Sequence, residues 1–194
     1  MSHLNGYEPD IERLQRAYAD RTIDTTRSIN ELLALAEAKS TLAPLYLGWA
    51  YQHGQGVPEN TAEAARWFKA GLARGDATCS YYLGHLYDKT ALHNEASDVF
   101  EQGSTLGYIP STYCLAMNTL EGRGRQANLE SALKLLALAS GGGHVFARRT
   151  MATLYLSGKF GLLQFPRGIW LLVSSVIRGV YLAIFSPDDI RLKA

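Results

Sequence analysis

The sequence predicts an all-α fold, an α/α superhelical solenoid of stacked antiparallel helix pairs. Three observations predict it. Glycines that would stop a helix recur at Gly75, Gly107, Gly143 and Gly179, spaced 32, 36 and 36 residues apart, and self-similarity at such a period marks a repeat array. Small residues recur at Gly48, Gly84, Ala116 and Ala152, where only a small side chain lets two helix backbones cross closely. Between these marks the apolar residues fall at helical rather than alternating spacing.

Residues 1–40 read as an atypical helix pair. Ile11, Leu14, Ala17 and Tyr18 share one face, as do Ile29, Leu32, Leu33 and Ala36, and a terminal repeat that meets solvent on one side departs from its neighbours. Residues 41–165 then hold the repeats. In the first copy, Leu47, Gly48 and Tyr51 mark a first helix. Gly54 and Gly56 permit positive φ and turn the chain, and Pro58 blocks helix continuation. Ala64, Trp67, Phe68 and Ala70 mark an amphipathic second helix that ends at Gly75. The second copy (Leu83, Gly84, Tyr87, then Ala96 and Phe100) lacks four loop residues and the Gly-x-Gly turn, which explains its shorter spacing. The third has Leu115, Ala116, Gly122 and Gly124, then Ala132 and Leu136, with Thr119 in place of the tyrosine. The fourth has Met151, Ala152, Tyr155 and Gly158, with Phe160-Gly161 in place of Gly-Val and Gly168 in place of alanine, then Trp170 and Gly179.

The run Leu47-Gly48-x-x-Tyr51-x-x-Gly54-x-Gly56-Val57-Pro58, followed by Ala64, Trp67, Ala70 and Gly75, strongly resembles the Sel1-like repeat, a relative of the tetratricopeptide repeat. The resemblance covers residues 41–179. It implies right-handed stacking with the first helices lining a concave groove. It also implies a scaffold or adaptor role, often in bacterial envelope, secretion or signalling systems. Cysteine-rich relatives carry a cysteine pair in each repeat and hydrolyse β-lactams. Cys79 and Cys114 form no such set, so that activity is the weakest alternative.

Composition narrows the function. Lysine plus arginine number 19 against 18 acids, for a net charge of +1, and a near-neutral chain lacks the basic excess that nucleic acid demands. Glu8, Asp10, Glu12 and Asp20 near the start, with no apolar run, argue against a secretory signal peptide. Two cysteines are too few for a disulfide framework, and a cytoplasmic setting is expected. The five histidines lack metal-ligand spacing, so neither metal nor other cofactor is expected. No Gly-x-Ser-x-Gly, His-Glu-x-x-His or Cys-x-x-Cys run is present, which argues against an enzyme. Gly122-x-Gly124 is repeat punctuation, because no phosphate-binding lysine follows it.

Two regions are candidates for binding. Counting from each repeat leucine, the residues one before, two after and six after should face the groove. They are Tyr46, Trp49 and His53, then Tyr82, His85 and Lys89, then Cys114, Met117 and Glu121, then Thr150, Thr153 and Ser157. Aromatic anchors with polar tips are hot-spot chemistry, so Tyr46, Trp49, His53, Tyr82, His85 and Met117 form the candidate groove for a protein partner, a peptide or a glycan. The opposing reading packs these rings between repeats. The second region is residues 166–194, a strongly apolar helix with a short polar tail. Ile169, Trp170, Val173, Ile177, Tyr181, Ile184 and Phe185 are its candidate contacts with a membrane or partner. A helix apolar on all sides must be covered by something. A packed cap, a partner-binding or membrane-surface segment, and a true span remain open, with Arg178 weighing against the last. The expected function is thus a non-catalytic scaffold. The alternative is a membrane-associated component of an envelope, exopolysaccharide or secretion complex, held at the inner face of the cytoplasmic membrane.

Overall fold

A computed structural model describes residues 11–21, 23–158 and 165–185. The described residues form ten helices and no strand: α1 (Ile11–Asp20), α2 (Thr25–Glu37), α3 (Ala43–His53), α4 (Thr61–Ala73), α5 (Thr78–Lys89), α6 (His93–Thr105), α7 (Ile109–Glu121), α8 (Leu129–Gly141), α9 (Val145–Leu156) and α10 (Phe165–Phe185). The chain divides into two compact units, Met1–Ala91 and Leu92–Ala194. In the first, each of α1 to α5 packs against the next in sequence, and in the second α6 to α10 do the same. The fourth copy's Phe160-Gly161 lies outside the described residues.

One backbone motif closes the second helix of successive pairs. Lys39, Gly75, Gly107 and Gly143 all take positive φ, at 63, 92, 80 and 91°. The amide of the following residue then reaches back to a carbonyl in the helix's last turn: Ser40 to Leu35, Asp76 to Gly71, Tyr108 to Gly103 and His144 to Ala139, at 2.9 to 3.0 Å. This is the left-handed cap that satisfies carbonyls a helix end would otherwise leave bare. Three of those residues also cap the next helix. Ser40 Oγ accepts from the Ala43 amide, Asp76 Oδ1 from Thr78 and His144 Nδ1 from Ala147.

The predicted close crossings are present. A β-carbon on Gly48 would lie 2.9 Å or less from the fully buried Phe68 ring of α4. Ala116 and Ala152 are fully buried and Gly84 is buried too. The alanines of the second helices, Ala64, Ala96 and Ala132, are at 0% exposure as well. The loops also follow the sequence. Gly54 and Gly122 end α3 and α7 in the left-handed conformation. Asn60 and Asn128 start α4 and α8 by accepting backbone hydrogen bonds, while their own amides donate to Tyr51 and Thr119. Gly124 sits so close to the backbone of His93 and Asn94 at the start of α6 that no side chain would fit. In the shortened second copy only Thr90 to Leu92 join α5 to α6, and Ala91 takes φ 61° where longer loops use glycine.

One expectation fails. Gly179 does not close a helix, because α10 continues through it to Phe185. Its φ is outside the left-handed region, and no polar capping residue follows. Instead Val180 to Phe185 extend the apolar face.

Candidate functional site

The first unit carries a row of rings along the first helices of its pairs. Tyr18 on α1 lies 4.7 Å from Tyr46 on α3, centroid to centroid. Trp49 meets the Tyr82 ring of α5 edge-on at 5.6 Å, and His53 packs beside Trp49 at 5.4 Å. On α5, Tyr81 contacts both Tyr82 and His85, at 5.3 and 4.4 Å. The guanidinium of Arg21 covers the Tyr18 ring at 3.7 Å and donates to the Tyr18 carbonyl, a cation-π contact. Five of the six predicted groove residues therefore fall in this one unit: Tyr46, Trp49, His53, Tyr82 and His85. Met117, the sixth, lies half-buried on α7 of the second unit.

These rings are shared between packing and solvent. Tyr82 stacks on Phe68 at 5.7 Å and 19°, so part of its surface belongs to the core. His53 and His85 are exposed, whereas Tyr46 and Trp49 are half-buried. The Trp49 indole N–H and the Gln52 amide oxygen are buried with no hydrogen-bond partner, uncommon for buried polar atoms. Beside the row, Tyr18, Arg21, Thr25, Tyr46, Trp49 and Gln55 border a cavity of about 20 Å³. That holds about one water, so the region presents ring faces rather than an enclosed substrate pocket. Tyr18, Arg21 and Tyr81 extend the row beyond the residues predicted for it. Tyr18 was legible as an apolar helix position, but its contact with Tyr46 was not.

The groove register is too generous at Cys114, which is 6% exposed and therefore does not face an open groove. Glu121, Lys89, Thr153 and Ser157 are exposed and Thr150 is half-buried. Both cysteines are buried and neither forms a disulfide. Burial, then the neighbouring Asp76 carboxylate, push the Cys79 thiol pKa up, so it stays protonated and unreactive. Burial also raises the pKa of Asp76, against hydrogen bonds from Thr78 and Cys79 that lower it. No cluster of three or more metal-ligating side chains occurs among the described residues.

The second candidate region is α10. Only Gly168, Ser175 and Leu182 are buried along its 21 residues. They recur every seventh residue, a narrow seam. A β-carbon on Gly168 would come 2.9 Å from Leu156, and one on Gly179 3.4 Å from Val145. The helix is thus docked antiparallel along the length of α9. Every predicted contact residue is exposed: Ile169 at 54%, Trp170 at 70%, Val173 at 48%, Ile177 at 66%, Tyr181 at 60%, Ile184 at 65% and Phe185 at 67%. Among the described residues this is a helix long and apolar enough to cross a membrane, with a mean hydropathy of 1.8.

No protein-family model matches the chain, and no curated protein matches it in sequence. Solved structures do match. A Sel1 repeat protein from Oxalobacter formigenes superposes with a TM-score of 0.73 at 21% identity, over 85% of this chain and 73% of that one. The chain has the Sel1-repeat fold. A protective antigen of uropathogenic Escherichia coli with the Sel1-like repeat fold gives a TM-score of 0.76 at 20% identity, over 88% of this chain. The present chain spans 40% of that antigen's length. A Pseudomonas aeruginosa protein gives 0.53 at 18% identity, covering 87% of this chain and 67% of its own. At these identities the likeness establishes the fold, the tetratricopeptide-like helix-pair repeat expected from Leu47 to Gly75.

Proposed function

We propose that the protein is a non-catalytic scaffold that binds a segment of a partner protein along the aromatic row of its first unit. The observation that carries this reading is the contact of Trp49 with Tyr82, flanked by the exposed rings of His53 and His85. It joins the first helices of two pairs into one half-buried surface. Rings that keep one edge in the core lose little freedom on binding, which suits them as anchors. The shallow cavity favours a peptide laid across ring faces over a glycan or substrate held in a pocket.

A photo-crosslinking residue placed at His53 or His85 in cells that natively make the protein tests this. Discrete protein adducts are expected there, and none from the exposed Arg66 on α4. Equal labelling at all three positions contradicts the reading. For an identified partner, Trp49→Ala should weaken binding by about 2 kcal/mol or more with helicity retained.

A second reading concerns the exposed apolar face of α10. We read it as a docking surface, through which the scaffold serves as a peripheral component at the inner face of the cytoplasmic membrane.

A further inference from the structure

We propose that α10 lies flat in the surface of a bilayer containing anionic lipid, with the arginines beside it reading the headgroups. The inference rests on that membrane-docking reading of α10 and adds the charge of the lipid and the orientation of the helix.

The apolar surface has the right shape. Taking about 100° of helix per residue, the buried seam of Gly168, Ser175 and Leu182 occupies one side. The exposed residues from Ile169 to Phe185 fill more than half the circumference, and every one is apolar. Arg167 and Arg178 stand eleven residues apart, about three full turns, so they share one flank of that surface. Arg167 lies over the Tyr155 ring of α9 at 5.0 Å. Arg178 lies close enough to Arg148 of α9 to disfavour its charge, after the larger effect of burial. An apolar arc bordered by cations at the level where the protein begins is the pattern of an interfacial helix, whose arginine stems run along apolar surface to reach phosphates. Trp170 and Tyr181 add the amphipathic rings favoured at that depth.

Charge selects the lipid. Helices α9 and α10 carry Arg148, Arg149, Arg167 and Arg178 and no acidic residue. None of the four makes an ion pair among the described residues. In the polar tail, Asp188 and Asp189 are balanced by Arg191 and Lys193. A cationic edge held together without acids lowers its repulsion when anionic headgroups approach it.

Geometry selects the orientation. Because Gly168 and Gly179 pin α10 to both ends of α9, a spanning α10 would drag α9 along. Arg148, Arg149 and Arg178 would then enter hydrocarbon, where arginine is strongly disfavoured. A flat helix leaves all of them at the headgroups and buries only the apolar arc. A second copy of the chain would cover the arc too, but it would bring no acid to these arginines from its own α9 or α10.

Flotation of the full chain with vesicles tests the proposal, using 30% phosphatidylglycerol in phosphatidylcholine against phosphatidylcholine alone. Size-exclusion chromatography with light scattering runs beside it. Binding to the anionic vesicles at least tenfold tighter than to the neutral ones is expected, with most of it lost in 0.5 M salt. The double variant Arg167→Gln, Arg178→Gln should lose about tenfold in affinity while its circular dichroism stays unchanged. Carbonate at pH 11 should release the bound protein. Equal binding to both vesicles overturns the selection of anionic lipid, and resistance to carbonate overturns the flat orientation in favour of insertion. A dimer that ignores vesicles overturns the lipid and the membrane reading alike and leaves α10 as a docking face for a second copy. A monomer that ignores vesicles overturns both.

Discussion

Helices α4 and α10 hold the same place in their pairs, yet they treat that place differently. In the repeat register Phe68 of α4, Phe100 of α6 and Leu136 of α8 correspond to Leu172 of α10. The first three are at 0% exposure, whereas Leu172 is at 38%. On α4 the residues that do reach solvent include Glu63, Arg66 and Lys69, and an ion pair joins Glu63 to Arg66 at 2.8 Å. On α10 the exposed residues from Ile169 to Phe185 are all apolar. The lesson is that the repeat fixes the inward seam alone. Gly168 and Ser175 pack as tightly as Ala64 and Gly71 do. The outward face is free to become a polar surface, a bed for the next helix, or a docking face.

The comparison breaks most visibly at the core position. Phe68→Ala should destabilise the protein by about 3 to 5 kcal/mol, read as a shift of the denaturant midpoint, while Leu172→Ala should cost under about 1.5 kcal/mol because its site is already wet. Equal losses would mean that α10 is covered as α4 is. Next in size is overpacking of the crossing itself. Gly48→Leu drives a side chain into the Phe68 ring, and it should cost about 1 to 3 kcal/mol or more, checked by thermal melting. An unchanged midpoint would place the crossing elsewhere. The smallest effect belongs to a residue outside both faces. Asp76 caps α5, but burial raises its pKa. The folded state therefore holds this proton more tightly than the unfolded chain does. The contribution of Asp76 to stability falls as pH rises above the ordinary aspartate pKa. Asp76→Asn keeps the cap acceptor and removes the buried charge, so its midpoint at pH 7 should be unchanged or slightly higher. A loss above about 1 kcal/mol would show that the charge itself is needed.

Much of this was legible in the sequence, for reasons that differ by residue. Gly75, Gly107 and Gly143 could be read as stops because positive φ selects glycine. Lys39 and Ala91 take the same conformation without that signal, so the match of the Lys39 turn to the later ones was invisible. Gly179 misled for the converse reason: a glycine in register may serve close packing against Val145 as well as chain reversal. The paired caps Asn60 and Asn128, 68 residues apart, are a helix-start signal hidden by the shortened loop between them. In the aromatic row, the periodicity placed Trp49 and Tyr82 on one face. It could not tell that Tyr82 would lean on Phe68, nor that Cys114 would be covered, because both depend on neighbours distant in sequence. For α10 the run of apolar residues was plain, and what it lacked was the seam. Ser175 belongs to that seam, 2% exposed like Leu182.

The central claim is that α10 has one structural face and one docking face, and a pair of substitutions in the full chain tests it most directly. Leu182 is 2% exposed in the seam and Ile177 is 66% exposed on the opposite side. The account predicts that Leu182→Ala lowers unfolding stability by about 2 to 5 kcal/mol, and that Ile177→Ala changes it by less than about 0.5 kcal/mol. Equal destabilisation by the two substitutions would contradict the account, since it would show that the face of α10 read here as free is buried in the folded protein.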